Sequence, residues 1–347
     1  MHLTANHRVV ILLHEGIKGT HGKTGLAYLR YGQGAIAAVI DADCAGQSVQ
    51  EVTGIAKDIP IVSNIQAALA YNPDVLLIGI APSGGILPDA WLEEIKEGVK
   101  AGLSVVNGLH TPLAPYFKSL QPKQWIWDIR QEPSGLSIGL GKARALGCQR
   151  ILTVGTDMSV GKMSTSLECH RAAQKRGINS KFLGTGQGGI MISGEGIPLD
   201  AVRVDFAAGA VEKMVLEAAN HYDVLWIEGQ GSLLHPGSTA TLPLIRGSQP
   251  TALILVHRVG QTTIQHAPNV SIPPLPDVIE LYETVAQVGG ATDEVKVKAI
   301  ALNTFHLDPK EAQKAIDKIQ QMTGLPCSDV VRFGGDRLIE RLLPDLV

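Results

Sequence analysis

A chain of 347 residues with a net charge of −3 is long enough for two ordinary domains with complete cores. Hydrophobic residues make up 45 % and charged residues 18 %, a globular composition, and no long basic run supplies the positive face that a nucleic-acid partner requires. No apolar run approaches the ~18 residues that span a bilayer, and "RVVILL" near the N-terminus reads as a first strand rather than a signal peptide, so the expectation is a cytoplasmic protein without a membrane partner.

Short aliphatic runs alternate with amphipathic segments along most of the chain, the signature of parallel α/β units. The first half, 1–125, predicts strands at 8–13, 35–41, 74–80 and 103–108. The helical pattern "LPDAWLEEIKEGVKAG" repeats Trp91, Ile95 and Val99 at spacings of four. This half reads as a small Rossmann-like domain. After its first strand, "GIKGTHGKT" sets Gly16, five residues, then Gly22, Lys23 and Thr24, which fits a phosphate loop on paper. Any Rossmann-like unit carries glycines here, because chain reversal and helix packing need them, so the match is weak. Asp41, ending the second strand, is a suggestive ribose-binding acid.

Over 126–148 the periodicity breaks among prolines and glycines, and this segment is read as a linker or crossing segment. A second α/β series, 149–347, predicts strands at 149–155, 179–183, 222–229, 251–257, 297–304 and 328–333. Helices are predicted near 161–176, 206–220, 276–288 and 309–323. Strands apolar on both faces imply a parallel sheet covered by helices on both sides. The prolines of "NVSIPPLPDVIELYE" suggest a lid or docking segment ahead of a helix. The four cysteines, Cys44, Cys148, Cys169 and Cys327, form no CxxC pair and read as free thiols in a reducing compartment, with a thiol nucleophile the less favoured reading.

The strongest chemical signal is the strand "RILTV", the loop "GTDMSVG" and the helix "KMSTSLECHRAAQKRG". Glycines let successive backbone N–H groups converge on an anion, and the helix behind adds its N-terminal dipole. Gly155, Thr156, Ser159, Val160, Gly161 and Lys162, with Met163 and Ser164 at the helix start, are therefore the predicted phosphate-binding residues. Position 163 should carry the hydroxyl that holds Mg²⁺ in such loops, and a Met cannot ligate it. Either Ser164, Thr165 or Ser166 substitutes, or the loop holds phosphate without a tightly bound metal. Without the metal, phosphoryl transfer loses its main charge neutraliser.

Glu228 ends an apolar strand and precedes Gly229, Gln230 and Gly231. At the carboxyl edge of a parallel sheet it faces the phosphate-loop crevice, where it could hold a metal, orient a water or accept a proton. Gln187, in the glycine-rich stretch after the preceding strand, and Gln230 are placed in the same crevice. Asp157, inside the loop, is a brace or a catalytic acid. His257 and Arg258 close another strand at that edge. His235, His257 and His266 lack metal-ligand spacing, and no metal site is predicted.

The loop "GTDMSVGK" is similar to the dethiobiotin synthetase phosphate loop, as is Glu228 in "IEGQGS"; Asn303 in "AIALNT" falls where such folds often place an Asn near the base. Met163 departs from that pattern. Five separated stretches, "KTGLAYLRYG", "VIDADCAG", "VGTDMSVGKMST", "WIEGQGSLLHP" and "LVHRVGQTTI", resemble a family catalogued as a domain of unknown function. It pairs a Rossmann-like N-terminal domain with a dethiobiotin-synthetase-like P-loop domain, and a characterised branch acts as D-glutamate N-acetyltransferase with acetyl-CoA. The resemblance implies that Lys162 and the loop amides hold the phosphates of acetyl-CoA, that Glu228 or His257 is the base, and that Arg203, Arg246 or Arg258 holds a substrate carboxylate. Two other readings stand beside it: an ATP- and Mg²⁺-dependent kinase or ligase of the dethiobiotin synthetase type, and a nucleotide sensor without catalysis. The partner implied is a small molecule. Two-domain α/β enzymes commonly dimerise, so a homo-oligomer is a further expectation that no motif specifies.

Overall fold

The computed structural model describes residues 3–19, 21–81, 87–287 and 294–344. It divides into two compact units, Met1–Gln131 with Gln187–Pro198, and Glu132–Gly186 with Leu199–Val347. Each is an α/β layer structure around a parallel sheet, as the alternating pattern predicts.

In the first unit the elements run β1 (Arg8–Leu12), α1 (Lys23–Tyr31), β2 (Ala35–Ile40), α2 (Val49–Thr53), β3 (Ile61–Val62), α3 (Ile65–Leu69), β4 (Val75–Ile78), α4 (Asp89–Lys100), β5 (Ser104–Asn107) and β6 (Ile126–Asp128). Among the described residues the strands are ordered β3-β2-β1-β4-β5-β6 and all pairs are parallel. Their Val, Ile and Leu side chains are buried on both faces, which is why the sequence shows unbroken apolar runs rather than alternation. Gly25 lets α1 close on β4: its N–H donates to Gly79 O at 2.8 Å, and a Cβ there would lie 3.1 Å from Gly79 Cα. The segment read as a linker thus begins with an edge strand, β6, pinned by the 2.7 Å bond from Asn107 Nδ2 to Asp128 Oδ1. Thr20, within the glycine loop of this unit, lies outside the described residues.

The second unit contains β7 (Gln149–Gly155), α5 (Lys162–Lys175) and β8 (Ser180–Leu183). The chain then forms α6 (Gln187–Ser193), which groups with the first unit, before α7 (Val204–Ala219), β9 (Val224–Ile227), α8 (Thr241–Ser248) and β10 (Ala252–Arg258). An antiparallel ribbon follows, β11 (Thr263–Ile264) and β12 (Ala267–Ser271). The unit ends with α9 (Leu275–Gln287), β13 (Val297–Asn303), α10 (Pro309–Thr323), β14 (Cys327–Ser328), α11 (Val330–Phe333) and α12 (Asp336–Leu342). The sheet order is β14-β13-β10-β7-β9-β8, so the phosphate-loop strand β7 lies between β10 and β9. The core on one face gathers Ile151, Trp226, Ile254 and Ala299 from four strands against Cys169, Ala172 and Leu338 from α5 and α12.

One predicted strand is corrected. Residues 328–333 give only the last residue of β14 and then turn into α11. Asp329 is the reason: its carboxylate accepts from the N–H groups of Val331 and Arg332, each at 3.1 Å, and this N-cap overrides the β-branched preference of "VV". The segment considered as a lid divides between β12 and α9, whose Tyr282 is fully buried.

Candidate phosphate-binding site

The loop between β7 and α5 is shaped by its own sequence and clamped from distant ones. Gly155 ends β7, and its carbonyl accepts from the Tyr282 hydroxyl at 2.7 Å. Thr156 N–H extends the sheet ladder by donating to Val256 O at 3.1 Å. The backbone then turns left-handed at Ser159 (φ 58°) and again at Gly161 (φ 121°), where a side chain would be strained. Asn303 Nδ2 donates to Val160 O at 2.9 Å, and Arg258 Nη2 to Ser159 O at 3.0 Å, so the ends of β13 and β10 both hold the curl.

Asp157 is a brace. Its Oδ1 accepts from Met158 N–H at 2.6 Å, and its Oδ2 accepts from Gln261 Nε2 at 2.6 Å and Gln265 N–H at 2.8 Å. Oδ1 shapes the loop itself and Oδ2 holds it to the turn after β10.

Lys162 opens α5 and is only 6 % exposed. Its Nζ donates to Asp157 O at 2.7 Å, so the ammonium sits inside the curl of the loop. The stem crosses two glycines. A Cβ on Gly155 would lie 3.1 Å from Lys162 Nζ, and one on Gly229 would lie 3.0 Å from its Cδ and 1.7 Å from Thr153 O. Gly229, directly after Glu228, is thus required by the Thr153 carbonyl on β7, with the lysine stem lying alongside. Its N–H donates to Thr153 Oγ1 at 2.9 Å.

Glu228 is 3 % exposed, and its Oε2 accepts from the N–H groups of Thr185 (2.8 Å) and Gly186 (3.0 Å). A carboxylate in such a place is held by donors of the β8 loop rather than by solvent. Gln230 joins this group: a Cβ on Gly186 would stand 2.4 Å from Gln230 Nε2, so the amide lies directly on the Gly186 backbone. Gln187 opens α6. It groups with the first unit, where its side chain packs on Gly108.

His257 is buried, and its Nδ1 shares a 2.9 Å hydrogen bond with Thr156 Oγ1. Burial lowers its pKa from the usual 6.5 to about 4, so it is neutral near pH 7 and a weak base. Burial also pushes the thiols of Cys44, Cys169 and Cys327 up, the reverse of what an activated nucleophile needs.

The three candidate arginines separate. Arg258 is at the loop. Arg203 is committed to Glu132, with Nε at 2.9 Å and Nη2 at 2.7 Å from Oε1. Arg246 lies on α8, three residues before Gln249, whose carbonyl accepts from Arg150 Nε at the opening of β7. With Arg144, Asp205 and Gln249 it lines a separate cavity of about 680 Å³ that no phosphate-loop residue enters. Of the three arginines expected to offer one carboxylate-binding group, Arg258 is the one bonded to the phosphate loop.

The hydroxyls proposed to replace the one missing at Met163 are mostly spent. Thr165 Oγ1 donates back to Gly161 O at 3.0 Å, and Ser166 Oγ donates to Ile227 O at 3.2 Å. Ser164 alone stays at the helix start without a hydrogen-bond partner in the protein among the described residues. No cluster of three or more His, Cys, Asp or Glu able to hold a metal occurs among the described residues, and no helix among them is long and apolar enough to cross a membrane.

A family model described as a domain of unknown function, DUF1611_C, P-loop domain, matches residues 137–339, and its companion, DUF1611_N, Rossmann-like domain, matches 42–132. The chain belongs to the DUF1611 family. A crystal structure of a DUF1611 family protein from Anabaena variabilis is 61 % identical with a TM-score of 0.94, covering 98 % of this chain and 100 % of that one. Two relatives named D-glutamate N-acetyltransferase are each 36 % identical: one from Pseudoalteromonas sp over 285 residues, one from Tritonibacter scottomollicae over 284. Each alignment covers 80 % of this chain and 84 % of the relative.

In this DUF1611 protein, sequence reasoning missed the clamps on the loop. Tyr282, Gln261 and Gln265 lie more than 100 residues from the groups they hold, and no local spacing announces them. The one available signal was Tyr282 itself, a tyrosine on the apolar stripe of a predicted helix, whose hydroxyl needs a buried partner.

Proposed function

We propose that the chain is an N-acetyltransferase that binds acetyl-CoA at the 155–162 loop and acetylates the amine of an acidic D-amino acid resembling D-glutamate. The reaction comes from the relatives' names. The observation that carries it onto this chain is the loop's construction: an intact anion cradle with a buried Lys162, and a thioether at 163 where a metal-holding hydroxyl would stand. Such a loop serves a phosphate used as a handle, and the pyrophosphate or ribose phosphate of CoA is that handle.

Acetyl transfer then needs an unprotonated amine, which attacks the thioester carbonyl carbon. The C–N bond forms, the C–S bond breaks, and CoA leaves as a thiolate that takes up a proton. The amine's own proton must go to a base. Glu228, beside Lys162 and Gln230, is the carboxylate assigned to it; His257, neutral and with its pKa lowered to about 4, is assigned to positioning Thr156. Lys162 and the loop amides hold phosphate oxygens, and Arg258 adds a cation at the loop's outer edge.

The test is release of free CoA thiol, followed with a thiol reagent, from acetyl-CoA and D-glutamate without added Mg²⁺, with the N-acetylated product identified by mass. Lys162→Ala should abolish release while leaving the circular dichroism spectrum unchanged. Product formed only with ATP and Mg²⁺, and none with acetyl-CoA, would overturn the proposal in favour of the ligase reading.

A further inference from the structure

Phe305 follows directly on the end of β13 and is 72 % exposed, among the most exposed large apolar side chains described. A single surface aromatic needs no explanation in itself. This one differs because its backbone is fixed while its ring is left open. Thr304 N–H and Oγ1 both donate to Asp329 Oδ2, at 2.9 and 2.5 Å. Arg332 Nη2 donates to Thr304 O and Leu307 O, at 3.0 and 2.9 Å. Phe305 N–H donates to Asn303 Oδ1 at 3.2 Å. These bonds anchor the whole turn 303–307 and tie it to the capped start of α11.

The same turn is tied to the phosphate loop. Asn303 clips Val160 O, and Arg258, which holds Ser159 O, places its guanidinium carbon 5.8 Å from the Phe305 ring centroid. The His306 ring meets Phe305 edge-on, with centroids 5.3 Å apart. A phenyl ring and a guanidinium beside an anion cradle are the groups that proteins use to stack a base while its phosphates are held.

We infer that Phe305 is the platform for the purine base of the ligand whose phosphates the 155–162 loop holds. The inference rests on the phosphate-loop reading above and adds the ligand's direction. Phe305 follows β13 and Glu228 follows β9, on opposite sides of the loop-bearing β7 in the order β13-β10-β7-β9. The nucleotide end therefore lies on the β13 side, and the acyl end runs toward Glu228.

The experiment is calorimetric titration of the full chain with CoA and with phosphopantetheine, which lacks the adenosine, for the wild type, Phe305→Ala and Phe305→Trp. Stacking of one base predicts that Phe305→Ala binds CoA about 5- to 150-fold more weakly, that phosphopantetheine binding is unchanged, and that Trp restores CoA affinity. The exposed ring contributes little to the fold, so the melting temperature should not move. Unchanged CoA affinity in Phe305→Ala, or equal losses for both ligands, overturns the platform. If wild type fails to bind CoA, the acetyl-donor reading falls separately, and the titration is repeated with ADP. Phe305-dependent ADP binding then upholds the platform, and Phe305-independent binding or no binding overturns it.

Discussion

Removing one oxygen atom tests whether the phosphate loop is held from outside itself. The Tyr282 hydroxyl donates to Gly155 O at 2.7 Å and accepts from Leu233 N–H at 3.1 Å, so it joins the first residue of the loop to the segment that follows Glu228. The ring is fully buried, and no solvent replaces a lost partner. In Tyr282→Phe, Leu233 N–H loses its acceptor outright, a cost of about 1–3 kcal/mol. Gly155 O loses a donor but has a second lone pair, so its share is smaller. The sum is about 2 kcal/mol. For a domain of this size that lowers the melting temperature by roughly 4–8 °C. The loop's register on β7 should loosen too, so CoA affinity should fall together with stability. Differential scanning calorimetry with and without CoA, followed by titration below the transition, reads both. A variant that melts with the wild type and binds CoA equally well would refute the idea that α9 holds the loop.

Two further outcomes follow from the same geometry. His257 and His170 are both buried, each with a pKa lowered from 6.5 to about 4, so the unfolded chain binds more protons between those values. Stability is therefore full above pH 6.5 and is lost as pH falls toward 4, by at most about 3 kcal/mol for each group; denaturant midpoints across that range should show the slope, and His170→Gln should flatten part of it. Gly161 sits at φ 121°, and Gly161→Ala should cost roughly 1–3 kcal/mol of backbone strain and remove CoA binding, whereas a variant that binds normally would show the curl to be dispensable.

Much of the architecture was legible because it depends on local periodicity. Unbroken runs such as "RILTV" and "TALILVH" can only be strands buried on both faces, and the glycines of 155–161 mark the turn that follows one of them. The exceptions have physical causes. Asp329 caps a helix where "VVRF" suggests a strand. Helix α8 was not predicted, because Pro243 interrupts its pattern; within the first turn, where N–H groups have no helical partner, a proline does no harm. Helix α8 carries Arg246 to the cavity beside α7. Between Gly186 and Gln187 the chain passes from the second unit to the first, a boundary no local pattern marks.

The candidate site was half legible for a related reason. Its anion cradle is local, and its clamps and its acid–base groups are not. Glu228 shows at the end of a strand, but the two N–H groups that hold it come from the β8 loop, and the Thr153 carbonyl that forbids a side chain at 229 comes from β7. Of the hydroxyls near Met163, that of Thr165 bonds back along its own helix and that of Ser166 into the sheet. Meanwhile Asp157, Asn303 and Tyr282 each hold the loop's shape through at least one hydrogen bond. Under the proposed acetyl-transfer function, a loop fixed at so many points, with a thioether at 163, grips a phosphate as a handle.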